Sequence, residues 1–319
     1  MQARLTAENL RYKFKASGKQ PSSIMNITAD PGSPLLQEAL KTLQTLGYRL
    51  KKPLEFRICR DEEEAWNTIW KWAWFTRETW MDKYWEETRK ALNPLLPLLS
   101  QLEIETILDC SCGLGFKTIV LAEAGYNAEG SDMSPTAVKY ARKLAGERGL
   151  KIRFFHSRFD ELAKHSRKKY DCIYSDYFDE LGDREALQKS AKGIHSALKK
   201  GGKFIFSSVP PEWTRRDLEK LIEQIWRRRR RVTTHPPVEK SGVKVIHVET
   251  AHKTHEGIRE NHIYIIEKKN QTLIQIATIM NPRIKWTHQD YTKTLKQAGY
   301  SKIKTIQTRQ NETYIVATK

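Results

Sequence analysis

The segment Ile107–Gly115 constrains the fold of this chain more than any other. It reads Ile-Leu-Asp-Cys-Ser-Cys-Gly-Leu-Gly and joins an apolar run, typical of a buried strand, to a helix through a Gly-x-Gly turn. Glycines permit tight backbone conformations and let a ligand approach the main chain. Thr118 stands where a dinucleotide fingerprint has its third glycine, and the next predicted strand ends at the acidic Asp132, the usual place for a ribose contact. The segment therefore predicts a nucleotide-type site at the carboxyl end of a strand.

Apolar runs and amphipathic segments alternate after this turn. Ser134 followed by Pro135 is typical of a helix start, with serine as N-cap and proline as the first helical residue. Such alternation indicates βαβ units and a largely parallel sheet. After residue 240 the pattern becomes antiparallel, and a final helix near 289–298 precedes two short strands. Predicted strands lie at 104–109, 127–131, 152–156, 170–175, 203–209, 243–249, 261–267, 272–279, 302–308 and 313–317.

The chain of 319 residues is long enough for one α/β domain with additional segments. We predict an N-terminal extension over residues 1–60, with a helix over 35–50, followed by a main domain over 61–319. Within residues 61–92, tryptophans recur every fourth residue and share one helical face. This face either packs in the core or covers a cationic substrate, which a tryptophan ring attracts. The main domain is divided into an aromatic helical cover (61–92), a cofactor-binding core (104–209) and an antiparallel insertion (240–282).

Four blocks in the same order resemble the motifs of class I S-adenosylmethionine-dependent methyltransferases. They are Asp109–Gly115, Glu129–Ser134, Tyr170–Asp176 and Leu198–Phe206, the last with Lys200 where the family usually has proline. The resemblance implies a methyltransferase with S-adenosylmethionine as cofactor. It also implies a Rossmann-like α/β sheet of seven strands, here with an N-terminal helical extension and an antiparallel insertion before the last helix.

The resemblance also implies a set of cofactor-binding residues. The glycine turn would pass the methionine part of the cofactor, Asp132 would hold the ribose hydroxyls and Met133 would pack on the adenine. Many members of the family have aspartate where this chain has Arg158, so Phe159 or the backbone would contact the adenine instead. The expected cofactor-binding residues are Asp109, Cys110, Gly113, Gly115, Asp132, Met133, Arg158, Phe159 and Ser175.

Acidic residues follow the fourth parallel strand, at the edge where α/β sheets bind ligands. Asp176 and Tyr177 are predicted to be catalytic, whereas Asp179 and Glu180 are predicted to cap the next helix, which begins at Arg184. A carboxylate here would orient a nitrogen nucleophile and accept its proton.

Two N-methyltransferase families share further features with the chain. The segment Trp85–Thr88 resembles the acidic helix of guanidinoacetate methyltransferases, which makes Glu86 a third catalytic candidate beside Asp176. The antiparallel ribbon over 243–281 is similar to the lid of glycine and sarcosine N-methyltransferases, but that group's Gly-Asn-Ser after strand four is absent. Its carboxylate-binding arginine after strand five is also absent, since Ser208–Glu212 stands there. We therefore expect N-methylation of a small amine or guanidino compound.

A net charge of +18 and the run Arg227–Arg231 keep an RNA or protein methyltransferase as the alternative. A related aminopropyl transferase or a non-catalytic protein of the same fold also stays open. The four cysteines show no zinc-site spacing, so no metal ligands are predicted, and reduced thiols would suit a cytoplasmic location. The sequence contains no stretch of 18 apolar residues, so no membrane span is predicted. The N-terminus has no apolar run typical of a signal peptide. The role of residues 1–60 and the formation of a homo-oligomer stay undecided.

Overall fold

The computed structural model describes residues 33–50, 54–269, 271–308 and 312–319. Its strands are β1 (Leu54–Ile58), β2 (Thr106–Asp109), β3 (Asn127–Asp132), β4 (Phe154–His156), β5 (Tyr170–Ser175), β6 (Leu198–Ser207), β7 (Val232–Thr234), β8 (Val238–Lys240), β9 (Val243–Lys253), β10 (Gly257–Lys268), β11 (Gln271–Arg283), β12 (Lys302–Gln307) and β13 (Thr313–Thr318). Its α-helices are α1 (Pro34–Thr45), α2 (Glu62–Phe75), α3 (Met81–Leu92), α4 (Leu95–Gln101), α5 (Phe116–Glu123), α6 (Pro135–Glu147), α7 (Leu162–His165), α8 (Arg184–Ala197), α9 (Arg215–Arg228) and α10 (His288–Gln297).

Seven strands form the first sheet, in the order β12-β13-β6-β5-β2-β3-β4. Strands β2 to β6 run parallel, whereas β13 is antiparallel to both β6 and β12. Both faces of the sheet are buried: along β2, Ile107 packs into the core on one face and Leu108 into the core on the other, as strand alternation requires. The predicted seven-stranded α/β fold is confirmed.

Local sequence signals set the starts of the helices that follow β2 and β3. Gly115 adopts a left-handed conformation (φ +85°) immediately before α5. The Ser134 side chain accepts a hydrogen bond from the Ala137 N–H at 3.0 Å, and Pro135 is the first residue of α6. The predicted serine cap is therefore confirmed.

A second sheet has the order β1-β11-β10-β9-β7, with β8 also paired to β9. Strands β9, β10 and β11 are antiparallel neighbours, which confirms the predicted antiparallel insertion before the last helix. Strand β1 was not predicted; it pairs in parallel with β11 through Leu54↔Thr272 to Ile58↔Ile276. Helix α1 packs Leu36, Ala39 and Leu43 on one face of this sheet. Part of the predicted N-terminal extension thus completes the second sheet, while the division at residue 60 stays a prediction.

Helix α2 lies between the two sheets. On one side Trp72 packs against Tyr264 of the second sheet, with 6.2 Å between ring centroids. On the other side Trp74 stacks on Tyr140 of α6 at 4.7 Å. Burying a large aromatic side chain contributes on the order of 3 kcal/mol, so these two contacts fix the helix firmly. Among the described helices, none combines the length and apolar character needed to cross a bilayer.

Candidate functional site

A cavity of about 460 Å³ opens at the carboxyl end of the parallel strands. Residues from the turns after β2, β3, β4 and β5 form one part of its wall, and α2 and α8 form the remainder. This is the edge at which α/β sheets bind ligands. The lining residues are Glu62, Trp66, Trp70, Cys110, Ser111, Asp132, Met133, Ser157, Arg158, Phe159, Asp160, Tyr177, Leu181, Gly182, Asp183, Glu185, Ala186, Lys189 and Ser190.

The glycine turn after β2 leaves no room for side chains. Both Gly113 (φ +51°) and Gly115 (φ +85°) have backbone conformations that favour glycine. A Cβ atom at Gly115 would lie 2.9 Å from the Ala141 Cβ, and one at Gly113 would lie 3.0 Å from the Trp70 ring. The turn can therefore pass closely beneath Trp70, one of the residues that line the cavity.

Asp132 at the end of β3 presents a fixed carboxylate to the cavity. Its Oδ2 accepts a hydrogen bond from the Gly113 N–H and its Oδ1 accepts one from the Ser134 N–H, both at 2.8 Å. Each oxygen keeps a second lone pair for a ligand. Burial raises the pKa of Asp132 to about 6, so the group is ionised near neutral pH.

The cavity contains five of the nine expected cofactor-binding residues. Cys110, Asp132, Met133, Arg158 and Phe159 line it. Asp109, Gly113, Gly115 and Ser175 are not among the lining residues. The Asp109 Oδ2 accepts a hydrogen bond from the Thr118 hydroxyl at 2.8 Å, which joins β2 to α5. The Ser175 hydroxyl accepts the backbone N–H groups of Tyr177 and Phe178, each at 3.1 Å, and shapes the turn after β5.

An acidic and aromatic cluster closes the cavity on the α2 side. The Tyr177 hydroxyl donates a hydrogen bond to the Glu62 carboxylate and accepts one from Trp66 Nε1 at 3.4 Å. Trp66 and Trp70 stack with 5.5 Å between ring centroids. Burial and the Glu62 carboxylate raise the pKa of Tyr177, so the phenol keeps its proton. Tyr177 and the tryptophans were predicted from the sequence, whereas Glu62, in the acidic first turn of α2, was not.

Asp179 and Glu180 do not cap α8, and that prediction is wrong. A 3₁₀ turn over Phe178–Glu180 separates them from the helix, and Asp183 is the N-cap, accepting the Ala186 N–H at 2.7 Å. Burial raises the pKa of Asp179 to about 7 and that of Glu180 to about 8. The Glu180 carboxylate accepts the backbone N–H of Arg283 and therefore ties this turn to β11.

The other two predicted catalytic residues lie elsewhere. The Asp176 carboxylate pairs with Lys117, accepts the Tyr174 hydroxyl and lines a separate cavity of about 310 Å³. Strand alternation explains this, because Asp176 and Tyr174 are two residues apart and share a face. Glu86 is two-thirds exposed on α3 and pairs with Lys90 at 2.7 Å. The structure therefore does not bring Glu86 and Asp176 together around one substrate.

The strand order, the glycine turn and the acid that ends the next strand define a class I S-adenosylmethionine-dependent methyltransferase. The family model described as a methyltransferase domain matches residues 103–299. Because this match covers more than half of the chain, the protein belongs to the methyltransferase domain family, and S-adenosylmethionine is its cofactor.

Individual relatives are distant. The chain is 26% identical over 125 residues to a ubiquinone biosynthesis O-methyltransferase of Bordetella avium. This match covers 37% of the chain and 51% of that protein. It is 25% identical over 167 residues to an uncharacterised RNA methyltransferase of Protochlamydia amoebophila, covering 52% and 37%. The chain therefore matches about half or less of the length of these curated relatives. An S-adenosylmethionine-dependent methyltransferase from Clostridium acetobutylicum shares its fold, with TM-score 0.50, 17% identity and coverage of 74% and 91%.

Proposed function

We propose that this enzyme transfers a methyl group from S-adenosylmethionine to a nitrogen atom of a small amine or guanidino compound. One observation supports this substrate class above the others. The Glu62 carboxylate lines the same cavity as Asp132 and Met133, one helical turn before the stacked Trp66 and Trp70. A carboxylate combined with aromatic faces is a combination that binds cationic nitrogen groups.

The side chains in the cofactor half of the cavity have the chemistry needed to bind S-adenosylmethionine. The free lone pairs of Asp132 would accept the two ribose hydroxyls, and Met133 and Phe159 would offer apolar contacts to the adenine. Cys110 and the glycine turn would border the remainder of the cofactor. When bound, the cofactor supplies the electrophilic methyl group.

The chain itself would bind, orient and deprotonate the acceptor. Trp66 and Trp70 would hold its cationic form by their ring faces, while Glu62 would orient the N–H groups and accept the proton that the nitrogen loses. The Tyr177 hydroxyl donates a hydrogen bond to the Glu62 carboxylate and so fixes its position. Glu62 thus takes the role of proton acceptor that sequence analysis assigned to Asp176.

Release of S-adenosylhomocysteine in the presence of candidate acceptors tests the proposal. The panel contains primary amines, guanidino compounds, catechols and RNA. We expect turnover with a nitrogen acceptor, and Glu62→Gln should lower kcat/KM by about 100-fold, the lower range for loss of a general base. Glu55→Gln, at an exposed position on β1, is the matched control and should leave kcat/KM unchanged. Turnover with catechols and none with nitrogen acceptors would refute the proposal.

A second candidate function is RNA methylation, favoured by the net charge of +18 and by the exposed Arg228 and Arg230. Other arginines of that run make intramolecular contacts: Arg229 pairs with Glu260, and Arg231 stacks on Trp226 with 3.4 Å to the ring centroid. Binding of fluorescent RNA at increasing salt decides between the functions. A steep loss of affinity together with methyl transfer to RNA would favour this second function.

A further inference from the structure

Three histidines and a glutamate meet on one face of the second sheet, outside the cavity described above. His247 and Glu249 are two residues apart on β9 and therefore point to the same side. On β10, His262 lies directly opposite Glu249 in the strand register. His235 immediately follows β7, and its N–H donates to the His247 carbonyl at 3.0 Å.

The side-chain atoms of this cluster converge on a single carboxylate oxygen. Glu249 Oε1 lies 2.9 Å from His235 Nε2, 3.6 Å from His247 Nε2 and 3.8 Å from His262 Nδ1. His247 Nε2 and His262 Nδ1 are 3.2 Å apart. Donor atoms bound to Zn²⁺ at about 2.0–2.1 Å in a tetrahedron lie about 3.3 Å from one another. The four observed distances bracket that value. The His235 and His247 rings stack with 4.4 Å between centroids and 9° between planes. Because the nitrogen lone pairs lie in the ring planes, the His235 ring, which is 41% exposed, must turn for both nitrogens to face one ion.

One nitrogen of the cluster also lacks a hydrogen bond. Within the described part of the chain, the buried His262 Nε2 makes none, although Glu260 Oε2 lies 3.5 Å away. The ring is thus held mainly by its Nδ1 contact to His247 and by its surroundings. This nitrogen is on the other side of the ring from Nδ1, which faces Glu249, so Glu260 would serve to orient the ring and not to bind the ion.

We propose that His235, His247 and Glu249 bind a divalent transition metal ion, and that Zn²⁺ is the ion that fits best. One ligand atom from each of the first three residues lies within 4.8 Å of the others. Two or more imidazoles with one carboxylate are a common zinc ligand set. The prediction of no metal ligands considered only cysteine and histidine spacings, whereas these ligands come from two separate strands or their ends.

A metal ion here would fasten a weak edge of the second sheet. Strand β7 pairs with β9 through only Val232, Thr233 and Thr234. It directly follows the arginine run that ends at Arg231 and carries His235 at its other end. A bond from His235 to a metal held by β9 would therefore stabilise the edge strand and the connection from α9.

The test uses the full-length protein, freed of metal with a chelator and then titrated with ZnCl₂ and CoCl₂. We expect one tightly bound equivalent of Zn²⁺ by elemental analysis after gel filtration, and a visible Co²⁺ spectrum typical of tetrahedral nitrogen and oxygen ligands. His247→Ala and His235→Gln should each weaken binding by about tenfold or more. His255→Gln is the matched control, because its side chain is 90% exposed and lies outside the cluster.

Two results would overturn the proposal. The first is a wild-type protein that retains no Zn²⁺, or variants that retain it as well as the wild type. The second is a thiolate-to-Co²⁺ charge-transfer band, which would place the ion on the cysteines. If His247→Ala does not fold, His235→Gln still provides the test, since His235 is 41% exposed at a sheet edge. Zn²⁺ should also raise the Tm of the wild type and of His255→Gln, and should raise that of His235→Gln by less.

Discussion

Two helical glycines should respond in opposite directions to the same substitution. Gly193 lies in α8 and Gly146 lies near the end of α6, and neither has a positive φ that alanine would strain. A Cβ at Gly193 would lie 2.5 Å from Asp160 Cα and closer still to the Phe159 carbonyl oxygen. A Cβ at Gly146 would meet nothing within 4 Å. The pair therefore separates helix propensity from packing.

The magnitudes follow from these contacts. Glycine to alanine in an exposed helix stabilises by about 0.5–1 kcal/mol. At Gly193 the gain is offset by overpacking, which costs about 1–3 kcal/mol, and the upper end applies because the opposing atoms are main chain and cannot rotate away. We expect Gly193→Ala to destabilise by roughly 2 kcal/mol, a fall in Tm of roughly 4–8 °C. Gly146→Ala should raise Tm by roughly 1–4 °C.

Differential scanning calorimetry of the two variants measures the difference in sign. Because Phe159 and Asp160 line the cavity, Gly193→Ala should also weaken binding of S-adenosylhomocysteine, measured by titration calorimetry. Gly146→Ala should leave that affinity unchanged. Equal stabilisation by both substitutions would show that α8 does not pack closely on the turn over 159–161, and the reasoning would fail.

Three further predictions concern charged groups. Because burial raises the pKa of Asp132 to about 6, affinity for S-adenosylhomocysteine should fall as pH drops below 6, and Asp132→Asn should lower it at every pH. Burial raises the pKa of Asp179 to about 7 and of Glu180 to about 8, above roughly 4 in the unfolded chain, so stability should fall as pH rises from 5 to 8. A Tm profile that Asp179→Asn fails to flatten would contradict this. Asp176→Asn removes the partner of Lys117 and should lower Tm while changing kcat/KM less than tenfold; a 100-fold loss at unchanged Tm would give Asp176 a catalytic role.

The cofactor side of the molecule was predictable because its signals are local. A strand, a glycine turn and a helix follow one another within Ile107–Glu123, and the acid at Asp132 ends the next strand. Parallel strands place their carboxyl ends at one edge, so contiguous motifs are sufficient to locate the cavity. The boundaries of β5 were predicted to the residue.

Residues that depend on distant pairing were missed. Strand β1 has five residues and pairs with β11, which lies more than 200 positions later in the chain. No local sequence pattern therefore predicts it. The histidine cluster depends on the β9–β10 register, which places Glu249 opposite His262. A signal was nevertheless present: His247 and Glu249 are two residues apart on a strand that was predicted over 243–249 and extends over Val243–Lys253. Two potential ligands therefore share one face of a predicted strand.

Glu62 shows why the substrate side resists sequence reasoning. Three acidic residues begin α2, and helix-dipole arguments explain all of them equally well. Only the orientation of α2 selects Glu62 for the cavity, and that orientation is fixed by Trp72 on the second sheet and by Trp74 on α6. The second sheet therefore acts on the substrate site through α2, although its strands contribute none of the described residues that line the cavity. Changes in the packing of the second sheet should therefore alter binding of the methyl acceptor more than binding of the cofactor.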